Sequence, residues 1–264
     1  MSKVLTKDEI INTKKASIRK LNNYLEGCIN DPNPDTQKKA YLISSWLNQF
    51  ISFTSFEEKF DPTKNISYKR GNVVKVNFGF NVGCELGGPH YAIVIDKNNK
   101  HSADTLTVIP LISVKSNKKP YERDVLLGNE LFNMLDSRVK TTLTELEDRQ
   151  RNCKTLFQST NSILNELKSC GNVASDKLET IANVLNDVIK ENNSIADEIT
   201  NVKRWNNEVA IMKEGSIARI EQITTVSKIR IWIPKNTSDV LYNISFSENT
   251  MKRINDKLKE LYIF

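Results

Sequence analysis

RGNVVKVNFGFNVGCELGGPHYAIVI, residues 70–95, is the stretch that decides the fold. Val73, Val74, Val76 and Phe78 form a β-branched and aromatic run, and Tyr91 to Ile95 form a second. Branched and aromatic side chains pack well on a pleated surface, so both runs predict strands. Between them stand Gly79, Gly83, Gly87 and Gly88. Glycine lets backbone take positive φ or come close to another group. The spacing therefore predicts strand, glycine-rich loop, strand. Turn-prone Asp96-Lys97-Asn98-Asn99 ends the second strand, and LTVIPL (Leu106 to Leu111) predicts a third.

Toward the C-terminus the period changes. From about Asn129 to Met212 the pattern is helical. Leu178, Ile181, Leu185, Val188, Ile195, Ile199 and Val202 follow 3–4 spacing, with Asn192 on the same seam. Leu143, Leu146, Cys153, Phe157, Leu164 and Leu167 fit the same template less well, interrupted by Gln150 and Thr160. Ser169-Cys170-Gly171-Asn172 separates the halves. Two seams with a short break predict an antiparallel coiled-coil hairpin, or else two packed helices of an ordinary bundle. Strand character returns in SIARI (Ser216 to Ile220) and SKIRIWI (Ser227 to Ile233), and Asn249 to Tyr262 predicts an amphipathic closing helix. Strands on both sides of a helical block predict one β-domain interrupted by an inserted arm.

Toward the N-terminus the chain is helical as well. Thr6 and Glu9 have the spacing of a capping box. Ile11, Ile18, Leu21, Leu25 and Cys28 then share a face. Asp31, Pro32, Asn33 and Pro34 break the helix, and a second begins near Asp35 with Ala40, Ile43, Trp46, Leu47 and Phe50 inward. Phe60 to Ser67 reads as a linker. The expected division is a helical segment at 1–68, a β-domain at 69–128 and 213–264, and a helical hairpin at 129–212.

The bulk numbers narrow the function. The chain has 264 residues, 39% hydrophobic and 27% charged, with a net charge of +6. That suits a folded protein, and the basic balance favours a polyanionic partner. No apolar run reaches the roughly 18 residues of a spanning helix. Met1 to Ile11 has no signal-peptide pattern, so a cytoplasmic protein without membrane contact is expected. Cys28, Cys84, Cys153 and Cys170 are not at CxxC spacing and make no zinc pattern with His90 and His101. Free thiols and no metal or cofactor are expected.

Several stretches resemble MazF/PemK toxins. Arg70-Gly71-Asn72-Val73-Val74 is similar to the family's opening strand, which usually has Gly-Asp there. Gly83-Cys84-Glu85-Leu86-Gly87-Gly88-Pro89-His90-Tyr91 resembles its glycine loop, which runs on to Arg-Pro. VIPLIS (Val108 to Ser113) resembles the third strand, which ends in Thr or Ser. The stretch from Ser216 to Val226 resembles a late strand with a Glu-Gln pair, here Glu221-Gln222. The resemblance covers about 70–127 and 214–264. It implies an α+β chain built on an SH3-like (CcdB/PemK-type) β-barrel. Here that barrel is interrupted by the coiled-coil insertion and preceded by the N-terminal helices. It further implies a homodimer, an antitoxin partner, and metal-independent cleavage of single-stranded RNA by its own 2′-OH. CcdB relatives of this fold bind a protein instead, so a non-catalytic RNA- or protein-binding module is the alternative.

The resemblance also implies a site. The family's catalytic Arg follows Gly-Gly and precedes Pro; here Pro89 comes first and His90 stands in the Arg's role. Arginine mainly stabilises charge, whereas histidine exchanges protons near neutral pH and so serves as acid or base. Ser113 would hydrogen-bond a nonbridging phosphate oxygen, and Glu85 would act as base or orient His90. Lys69, Arg70, Lys97, Lys115, Lys118 and Lys119 would form a phosphate track. Tyr91 and Phe80 would stack bases, with Phe78 in the core and His101 uninvolved. The N-terminal helices are expected to pack on the inserted arm, the other possibility being that they lie over the barrel as a built-in regulator.

Overall fold

A computed structural model of the chain describes residues 4–115, 120–169, 175–212 and 215–263. It is an α+β structure with one antiparallel sheet and five α-helices among those residues. The strands are β1 (Val73–Asn77), β2 (Pro89–Val94), β3 (Thr105–Ser113), β4 (Asp124–Gly128), β5 (Ser216–Arg219), β6 (Thr224–Ser227) and β7 (Ile231–Ile233). They lie in the order β4-β5-β3-β2-β1-β7, and β6 pairs with β3 as well. The edges β4 and β7 are not paired with each other among the described residues, so the sheet is not closed by hydrogen bonds.

The apolar runs are continuous because both faces of the sheet are covered. Val73, Ile93 and Ile109 point into one core; Val74, Ala92, Val94 and Val108 point into the other. Alternate residues of a strand face opposite ways, so neighbours in sequence serve different cores. Pro110 marks a change of partner. One edge of β3 pairs β2 across it, while the other passes from β6 (Thr105 to Val108) to β5 (Leu111 to Ser113). A residue without an N–H fits where the ladder is handed on.

Two expectations about strands need correction. SKIRIWI is not one strand: Lys228–Arg230 forms a 3-10 turn between β6 and β7. The cause is Lys228, which is fully buried and donates to the carbonyls of Lys100 (3.1 Å) and His101 (3.2 Å). A buried ammonium needs such acceptors, and the turn delivers it to them. SIARI likewise ends at Arg219, and Glu221-Gln222 sits in a 3-10 turn, Ile220–Gln222.

Helices α3 (Glu130–Ser169) and α4 (Ser175–Ala210) stand between β4 and β5, which are neighbours in the sheet. They run antiparallel: Arg149 of α3 bonds Glu191 and Glu198 of α4, each at 2.8 Å. Leu146 and Cys153 bury against Val188, Ile195 and Val202. Thr160 does not interrupt the seam; it is buried, and its hydroxyl donates to the Leu156 carbonyl (2.8 Å) within its own helix. Asn192 is exposed instead, and Cys170 and the side chain of Leu178 lie outside the described residues. Cys28, Cys84 and Cys153 are free thiols. No described helix is long and apolar enough to cross a membrane.

The N-terminal helices α1 (Lys7–Ile29) and α2 (Pro34–Phe56) pack on each other, and the Thr6–Glu9 capping box forms. The contacts of α2 correct the expectation that they lean on the arm. Trp46 lies against Gly79, where a Cβ would stand 2.7 Å from the ring, and Arg230 stacks over it at 5.2 Å. Gln49 bonds Asn77 at the end of β1. Gly79, at φ +84°, therefore answers two demands: left-handed backbone and room for an indole. Helix α5 (Glu248–Tyr262) closes the other side, with Ile254 buried and Thr250 donating to Glu130 at 2.5 Å.

Candidate functional site

A cavity of about 650 Å³ opens where the ends of β2, β3 and β5 meet the root of the arm. β2 brings His90 and Tyr91, β3 ends in Ser113 with Lys115 beyond it, and β5 brings Arg219. β1 supplies Lys75, β4 supplies Asp124, and α4 adds Glu208 near its last turn. Adjacent strands in register make this convergence: His90 pairs with Val76, and Ser113 with Ser216.

His90 is half-buried, and its Nδ1 donates to the Leu111 carbonyl at 3.2 Å. A carbonyl only accepts, so the proton sits on Nδ1 and the neutral ring keeps its lone pair on Nε2. Burial pulls the ring below its ordinary pKa, and backbone bonds at Leu111 and Gly87 oppose that in part. The balance favours the neutral ring, the form that can accept a proton. Ser113 is exposed at the cavity wall. Tyr91 has its hydroxyl pushed up to about 12, first by burial and then by the negative charge of Glu208.

Arg219 is the main residue that sequence reasoning missed. Its Nε is 3.1 Å from Asp124 Oδ1, its Nη2 donates to Glu221 at 2.5 Å, and its guanidinium stacks on Tyr121 at 5.0 Å. The Nε–Oδ1 approach lacks the alignment of a hydrogen bond, so both buried atoms are close in charge yet unsatisfied in direction. The available signal was an arginine two residues from a glutamate within SIARIEQ. Lys75 was equally visible as the one charged residue in VVKVN. Glu208 had no such signal, because only the return of α4 to the sheet brings it there.

The other expected residues divide. Glu85 does not reach the cavity: it is exposed in the glycine loop and accepts from Val82 N at 3.3 Å. Its neighbour Leu86 does line it, held by a bond from its N–H to Gln222 (3.1 Å). Arg70 is committed elsewhere, to the Ile95 carbonyl and Asn255. Lys69 and Lys97 are exposed away from the cavity lining. Lys118 and Lys119 lie outside the described residues. Phe78 is buried with its ring 6.5 Å from His90, Phe80 is half-buried and not in the lining, and His101 contacts Asn65 on an exposed turn.

Residues 69–189 match the family model described as PemK-like, MazF-like toxin of type II toxin-antitoxin system. The matched span begins just before β1 and ends inside α4, so it holds His90 and Ser113 but not Arg219. No curated protein matches the chain.

Proposed function

We propose that the PemK-like, MazF-like toxin domain carried at residues 69–189 serves a metal-independent endoribonuclease that cuts single-stranded RNA. One observation carries this: His90 and Ser113, far apart in sequence, line one cavity together with Arg219 and Lys115. Nε2 of His90 takes the proton of a ribose 2′-OH. The freed oxygen attacks the adjacent phosphorus, a 2′,3′-cyclic phosphate forms, and the 5′-oxygen leaves and takes a proton from water. Ser113, Lys115 and Arg219 hold the nonbridging oxygens as negative charge grows on them. Arg219 thereby supplies, from β5, the fixed cation that the family carries after its glycine pair. Glu85 has no part in this scheme.

The finer architecture belongs to the same proposal. The strands at 69–128 and 213–264 make an SH3-like barrel that acts as a homodimer in the cytoplasm. The hairpin at 129–212 is a coiled-coil insertion, residues 1–68 are an appended helical segment, and an antitoxin protein is the natural partner. The test is the full chain incubated with end-labelled single-stranded RNA in EDTA. Discrete fragments with cyclic-phosphate ends are expected. His90→Ala should lose on the order of 10²-fold or more in cleavage rate while keeping the wild-type melting temperature. RNA binding without fragments would instead establish a non-catalytic module.

A further inference from the structure

The candidate cavity contains a group that phosphate chemistry does not use. Glu208 Oε2 is 3.2 Å from Lys75 Nζ, and that ammonium lies 5.6 Å from the centroid of the Tyr91 ring. All three line the cavity. The Glu208 side chain is 34% exposed, so it can meet a ligand. A carboxylate repels phosphate, and a partly exposed ion pair contributes little to stability. A carboxylate beside an ammonium and an aromatic ring nevertheless matches a nucleobase edge.

We infer that Glu208, with Lys75, reads a guanine of the bound strand while Tyr91 contacts its ring; this rests on the ribonuclease reading for the presence of RNA. Unpaired bases are recognised by stacking on aromatic side chains and by hydrogen bonds along their Watson–Crick edges. The guanine edge presents one acceptor, O6, followed by two adjacent donors, N1–H and N2–H. The two oxygens of one carboxylate accept both donors, and the neighbouring ammonium donates to O6. Adenine, cytosine and uracil each offer such a pair only one donor position. Because Glu208 belongs to α4, the arm and not the sheet supplies the base-reading group.

The test uses the full chain and single-stranded hexamers with 2′-O-methyl sugars, which cannot be cut by their own 2′-OH. Each hexamer is uridine except for one central guanosine, inosine, adenosine or cytidine. Inosine lacks only the N2 amino group. Fluorescence anisotropy should show guanosine bound about fivefold or more tighter than inosine, the lower end of what a bidentate base contact discriminates. In Glu208→Gln, with its melting temperature checked, the ratio should fall to about one. Equal affinity for guanosine and inosine in the wild type, or a ratio that survives Glu208→Gln, overturns the proposal. The wild-type ratio decides even if the variant does not fold. Cleavage without guanine preference removes base reading and leaves the ribonuclease. Guanine-selective binding without cleavage does the reverse, and absence of any RNA binding removes both.

Discussion

The two ends of α3 follow different rules although they are one helix. At its root Leu131, Leu135 and Val139 are fully buried, packed in the core that also takes Val240, Leu241 and Ile244. Toward its tip Leu156, Phe157 and Ile163 are each about half exposed, and α4 shows the same at Ile189. The root is held by a sheet and two further segments; the tip is held by a single partner helix. A helix pair buries one seam and leaves the rest of each surface in water, whatever its apolar content. Apolar composition along the arm is thus no guide to how much each residue stabilises.

The largest effect should come from breaking the root. Leu135→Ala removes a side chain with 1% exposure from the shared core. It should cost about 2–5 kcal/mol in a denaturant melt. Were that cost below 1 kcal/mol, the root would not be integral to the sheet's core.

A smaller effect separates the two ends by pH. Both histidines lie in the sheet region and neither lies on the arm. The folded His90 ring is held below its ordinary value, so below about pH 6.5 the unfolded chain binds a proton that the folded chain resists. The stabilising contribution is complete above that pH and is lost as pH falls toward the folded value. Melting temperature measured from pH 7.5 to 5 should therefore decline on the acid side, with a shallower decline in His90→Gln. Cleavage should lose rate over the same acid limb as Nε2 fills. A slope identical in both proteins would place the acid sensitivity elsewhere.

The smallest effect belongs to the tip. Leu156→Ala, at 51% exposure in the same helix, should change stability by no more than about 0.5 kcal/mol. A loss comparable with Leu135→Ala would mean that the tip is covered in solution by something the isolated chain does not show.

Much of this was legible in the sequence, for reasons that differ by element. β1, β2 and β3 announce themselves because both faces are buried and the runs are uninterrupted. The hairpin shows in the 3–4 spacing from Ile181 to Val202, and α1 in its capping box. β4 was not legible: Asp124–Gly128 carries only Val125 and Leu127 as buried apolar residues, and it becomes a strand by pairing with β5 across the whole arm. Of the expected site residues, His90, Ser113, Lys115 and Tyr91, singled out by local motif and strand position, all line the cavity. Glu85 failed because adjacency in the glycine loop is not adjacency in space. Arg219 and Glu208 were missed because the strand and helix that bring them to His90 are distant in sequence.

The ladder that joins β4 to β5 starts at Gly128 and Ser216, the residues on either side of the arm. The insertion thus leaves the sheet and re-enters it at facing positions. Closing a flexible loop grows dearer only slowly with length, by about 0.6 kcal/mol per doubling, so the sheet is nearly indifferent to how long the arm is. Folding speed is not indifferent, because pairings between distant residues form late. The α3–α4 seam is local by comparison. Once it zips, the two strand ends are delivered side by side and the long closure becomes a short one. The arm is in this sense built as a splint for the strand pair it interrupts.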